Sequence, residues 1–261
     1  MRLRERRRIE KESRIAASMR FPRWKGVPGP AELLDIALDP AADLNARYRA
    51  TSILSRRETP QALLDAFLTS TDDLVWLADI LGVLGKPNAV GALARALHDE
   101  DHERRRWAAM ALGWNRRDCP AAARALSGAV ADRSQPPPVR LMACWALEKH
   151  YWPQATPALA IALGESDVEL RFAAVRALNS MRNRKSLRLD PKAKAALESV
   201  LTDSEHPLHN WWAVGKEALA VLAFEDSRYL PLFQAEIARI QNEAVPSRED
   251  KMFLLEYEDW S

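Results

Sequence analysis

The chain has 261 residues, 48% of them hydrophobic and 28% charged, with a net charge of +2. That length supports a sizeable core or a mid-sized repeat array, and no apolar run approaches the ~18 residues of a membrane span. The charged start lacks the apolar stretch of a secretory signal, so a cytoplasmic protein without membrane contact is expected.

In chain order, residues 1–25 form a basic N-terminal arm with ten Lys/Arg against three acidic residues. The remaining 236 residues carry 28 basic and 33 acidic groups, a mildly acidic body. Such an arm can contact nucleic acid or an acidic partner. "FPRWKGVPGP" (21–30) is a Pro/Gly linker, and residues 26–243 then read as one repeat array. Its units open with "PAELLDIAL", "PQALLDAFL", "AVGALARAL", "PAAARALSGAV", "ATPALAIAL" and "PKAKAALESVL". Apolar residues recur there at i, i+3, i+4 and i+7, often after a proline at the first helical position. A second helix follows in each unit, aligned on Leu54, Leu81, Leu112, Leu147, Leu178 and Leu219. The spacings of 27, 31, 35, 31 and 41 residues predict an all-α, right-handed α-solenoid of about six helix pairs. "RNRKSLRLDPK" (182–192) is a basic loop before the sixth unit. "RYLPLFQAEIARIQNE" (228–243) is expected to be a C-terminal capping helix. Residues 244–261 form an acidic amphipathic tail, with Ser247 and Asp250 in capping-box register and Phe253, Tyr257 and Trp260 on one stripe.

The second helices repeat a pattern, as in "RRWAAMALGWNR" from Arg105, "VRLMACWALEKH" from Val139 and "LRFAAVRALNSM" from Leu170. Seven residues before the aligned Leu stand Arg47, Arg105, Arg140 and Arg171, with Leu74 and Trp212 as exceptions. Small residues stand four before it (Ala50, Ala108, Ala143, Ala174, Gly215), and Leu77 breaks this rule. Asp43, Asp101 and Asp167 lie four before three of the arginines. They can cap the second helix and meet an Arg of the same or adjacent unit, forming a structural ladder. At 100° per residue, positions two and six before the Leu point away from the core stripe. They predict a wall of Tyr48, Val75, Arg106, Met110, Leu141, Trp145, Phe172 and Arg176, lining a concave groove. Trp76 and Trp107, five before their Leu, are expected to stack between units, and Trp211 to be core.

The Asp…(Val/Leu)-Arg-x-x-Ala-x-x-Ala-Leu pattern at 132–147 and 167–178 resembles the HEAT-repeat family. The match is to its short bacterial form, similar to the repeats of phycobilin lyase subunits, and extends over about residues 31–226. The resemblance implies a scaffold or binding module. The chromophore partners of the lyase members find no counterpart here.

No GxGxxG, P-loop, HExxH or GxSxG is present. His98 and His102 are spaced i, i+4, but Glu100 and Asp101 place them around a turn, as solvated surface histidines. Neither catalytic residues, metal nor cofactor is expected. The expected function is a non-catalytic scaffold gripping a partner protein or peptide in the groove, since an acidic body with an apolar wall suits protein better than phosphate. The alternative is nucleic-acid binding through the arm and the 182–188 loop. Its sharpest form is a HEAT-like alkylpurine DNA glycosylase, for which Trp145, Asp79 and Arg176 supply residue types without a motif match.

Overall fold

A computed structural model describes residues 28–55, 59–70, 73–114, 119–149, 152–184, 189–205, 213–243 and 246–257. The basic arm, the histidines at 150, 206 and 209, Trp211, Trp212 and Trp260 lie outside them. The described residues form α-helices joined by turns, with no strand. None of these helices is long and apolar enough to cross a membrane.

The chain divides into two compact units, Met1–Ala125 and Leu126–Ser261. The first holds the pairs α1 (Pro30–Leu38) with α2 (Leu44–Leu54), α3 (Gln61–Thr69) with α4 (Leu74–Leu84), and α5 (Pro87–Ala96) with α6 (His102–Trp114). Helix α7 (Pro120–Ala131) contains the division. The second unit continues with α8 (Pro137–Glu148), α9 (Thr156–Leu163), α10 (Val168–Arg184), α11 (Pro191–Ser199) and α12 (Val214–Glu225). It ends with α13 (Leu230–Gln241) and α14 (Arg248–Tyr257). Each unit layers in the same way. Second helices pack on second helices (α2, α4, α6; then α8, α10, α12), and first helices on first helices (α3, α5; then α9, α11). The six expected pairs and the terminal helix α13 are all present.

The aligned residues Leu81, Leu112, Leu147 and Leu178 are completely buried. The sixth unit departs from the alignment by one residue, because Ala218 is buried where Leu219 is only half-buried. Small residues set the helix separation as expected, with Ala50, Ala108, Ala143 and Ala174 inaccessible to water. In α4, where Leu77 replaces the small residue, Gly82 makes the close approach. A Cβ there would press on the Ala111 carbonyl and stand 3.0 Å from the Ala111 Cα.

The arginine ladder is structural, with partners that differ from the expected aspartates. Asp43, Asp101 and Asp167 accept hydrogen bonds from the backbone N–H groups of Ala46, Glu103 and Glu169. Asp43 and Asp167 serve as caps, and Asp101 both caps α6 and pairs with Arg104 of its own unit at 3.7 Å, as the pattern allowed. The arginines instead reach two places, the carbonyls that end the first helix of their own pair and an acid in the next turn. Arg47 donates through Nε to the Ala37 carbonyl (3.2 Å) and pairs with Asp73. Arg140 donates to Val130 O (2.9 Å) and to Glu165 (3.1 Å). Arg171 donates to the Glu165 and Ser166 carbonyls, to Asp203 (2.7 Å) and to Glu205 (2.5 Å).

The second pair has Leu74 at the ladder position, which leaves the end of α3 without its arginine. Arg104 supplies the missing donors from the next pair, to Phe67 O (3.2 Å) and Ser70 O (3.3 Å), while holding Asp99 (2.8 Å). This displaces the expected role of Arg105 by one residue. Helix-terminal carbonyls cannot be left without donors when buried.

Candidate functional site

The predicted wall is best tested by asking what water reaches on each second helix. In α8, from Val139 to Leu147, Leu141 and Trp145 alone are accessible, each half-buried, while the seven others are buried. The open face of that stretch is therefore one Leu and one Trp, a single turn apart. In the first unit, α4 exposes Val75 (42%) with Asp79 half-buried one turn on, and α2 presents half-buried Tyr48 beside exposed Ser52. The Tyr48 ring meets the Trp76 ring edge-on at 6.3 Å, and the Arg47 guanidinium lies 3.7 Å from the Trp76 centroid. Trp76 and Trp107 are buried, Trp76 between α2 and α4 as the stacking expectation required.

Two wall residues do not face solvent. Met110 is 7% exposed and Phe172 3%. Their helices explain this, since Trp107–Gly113 and Leu170–Val175 are unbroken runs of buried residues. A phase argument presumes one open face, and these turns have neighbours all round. Arg106 and Arg176 are half-buried and already engaged, Arg106 with Glu103 at 3.0 Å and Arg176 with Glu217 at 3.2 Å and Glu148 at 3.7 Å.

What the sequence reading missed lies beside Arg176 in the second unit. Glu217, two residues before Leu219 and so at an outward position by the helical phase, is wholly buried. Its carboxylate accepts from Asn179 Nδ2 (2.5 Å), from the Arg176 guanidinium and from the Tyr257 hydroxyl (3.3 Å). Asn179 Nδ2 also lies 2.7 Å from that hydroxyl. Tyr257 belongs to α14, the helix within the expected tail. Phe253 and Tyr257 are buried against Phe233 of α13, with ring centroids 6.0 and 5.4 Å from it. Lys216 donates to Asp250 (2.5 Å), whose N–H donates to Ser247 Oγ as the capping register predicted. The signal that could have located this cluster is Asn179 and Glu217, two polar residues interrupting apolar rows.

Several carboxylates here are held below their ordinary range. Arg140, by hydrogen bond, lowers Glu165 against the opposing effect of burial, and Arg133 adds to it. Burial raises Asp250, but hydrogen bonds from Lys216 and Ser247 outweigh it. Arg239 lowers Glu236 in the same sense. A depressed folded-state pKa contributes stability that is present above the unfolded value, about 4, and lost as pH falls through the folded one. Thermal melts should therefore show Tm steady near neutrality and falling below about pH 4. A Tm unchanged in acid would contradict these pairings.

Among the described residues no group of three or more His, Cys, Asp or Glu could hold a metal ion. Cys144 is fully buried, and that burial pushes its thiol up to about 12. The geometry thus offers contact surface and ion pairs.

Residues 129–220 match the family model described as HEAT repeats. Among solved structures, one engineered protein is similar at 18% identity over 97% of this chain and 68% of its own, with a TM-score of 0.49. A second engineered protein is similar at 17% identity over 90% of this chain and 96% of its own, with a TM-score of 0.46. Human deoxyhypusine hydroxylase, solved in complex with glycerol, is similar at 20% identity over 88% of this chain and 96% of its own, with a TM-score of 0.33. No curated protein matches the chain.

Proposed function

We propose that this chain, a HEAT-repeat protein over residues 129–220, is a non-catalytic scaffold that binds a partner protein or peptide along its second helices. Leu141 and Trp145 are the main anchors, with Tyr48 and Val75 as the corresponding surface of the first unit. In the first unit Met110 is buried and Arg106 ion-paired, and in the second Phe172 is buried and Arg176 ion-paired, so within each unit these residues back the contact surface without meeting the partner first. The single observation that carries the reading is the open face of α8, made of Leu141 and Trp145 alone between positions 139 and 147. A helix face that water reaches ordinarily shows polar groups there. Tryptophan is enriched where binding energy concentrates.

Capture of partners from nuclease-treated host extract at rising salt tests this reading. An apolar contact keeps its partner from about 0.1 to 0.5 M salt, whereas phosphate-driven binding loses orders of magnitude over that range. Capture that needs nucleic acid, or collapses with salt, would favour nucleic-acid binding through the basic arm.

A further inference from the structure

The second unit already binds a helix, its own. Helix α14 lies against side chains of three others. Tyr257 reaches Asn179 on α10 and Glu217 on α12, its ring packs on Phe233 of α13, and Asp250 meets Lys216 of α12. The contact adjoins half-buried Arg176 of α10, because Asn179 stands three residues from it and both hold the same Glu217 carboxylate.

Three features mark α14 as a ligand of this surface and not a plain closure of the stack. Its seat is polar at the centre, with a carboxylate fully removed from water, where apolar residues of similar volume would close the fold at least as stably. Among the described residues its hold comes from three spaced side chains: the rings of Phe253 and Tyr257, the Tyr257 hydroxyl on Asn179 and Glu217, and the Asp250 carboxylate paired with Lys216 and Arg239. Its far side keeps Leu255 65% exposed. An amphipathic helix laid in a groove through a few spaced anchors is a recurrent mode of peptide recognition.

We infer that the face built from Asn179, Glu217 and Phe233 is a docking surface for an amphipathic helix, that α14 is its resident occupant, and that a partner helix running from Leu141 and Trp145 displaces α14 to extend over it. The displacement rests on the proposed binding at Leu141 and Trp145. The docking surface does not, so each can fail alone. Binding at Trp145 with a fixed α14 would leave the scaffold reading intact.

The probe is a fluorescein-labelled peptide of residues 246–261, added to the full chain and followed by anisotropy. The unaltered chain excludes it. The full-length double variant Phe253→Ser/Tyr257→Asp, with its own helix undocked, binds it at least about tenfold tighter, and adding Glu217→Ala removes most of that gain. A folded double variant that ignores the peptide, or an unaltered chain that binds it equally well, overturns the inference. If the double variant does not fold, hydrogen exchange on the unaltered chain decides. Amides of α14 exchanging at least about tenfold faster than those of α10 support a detachable helix, and equal protection overturns it.

Discussion

Replacing Arg171 with alanine should lower the stability of the second unit by about 3–5 kcal/mol, the loss expected when one partner of a buried ion pair is removed. The guanidinium is nearly buried, and it satisfies the Glu165 and Ser166 carbonyls together with Asp203 and Glu205. Alanine leaves Asp203 charged and largely shielded, and two carbonyls without donors. Lysine at the same position keeps the charge but cannot reach four acceptors with a planar fork, so it should recover only part of the loss. Denaturant melts on the three chains check this. Equal stability of all three would show that the ladder carries no structural load.

Gly215→Ala should cost on the order of 3 kcal/mol, at the upper end of overpacking effects. The added methyl would press on the Leu201 carbonyl and stand 2.9 Å from that of Asp203, both of them backbone that cannot step aside alone. The same substitution at Gly128 has the opposite sign. That glycine is exposed in α7 with nothing within 4 Å of a Cβ, so alanine there should stabilise the helix by about 0.5–1 kcal/mol. Tm shifts of like sign for the two variants would contradict the close approach at Gly215.

The helix pairs were legible because burial writes a period into the chain. Leu81, Leu112, Leu147 and Leu178 could be aligned by eye, and each proved to be core. Ladder arginines were legible as a repeat, but their partners were not. Asp73, Glu165 and Asp203 lie 25–32 residues away from the arginines they meet, and sequence distance says nothing about which turn stacks on which. Arg104 shows the same limit, since its role follows from an arginine missing one pair earlier. The wall was half legible. Phase located Tyr48, Val75, Leu141 and Trp145, which keep an open side, but could not register that α6 and α10 are surrounded at Met110 and Phe172. The α14 seat was hidden because Tyr257 and Asn179 stand 78 residues apart and share no local pattern.

The most direct measurement is Trp145→Ala, read by melting temperature and by affinity for the partner captured from nuclease-treated extract. Because the ring is half-exposed on α8 beside Leu141, the account predicts little change in Tm and a roughly 30-fold loss of affinity, about 2 kcal/mol. A stability loss of about 3–5 kcal/mol, as for a core Trp, with partner affinity retained in the folded fraction would contradict it.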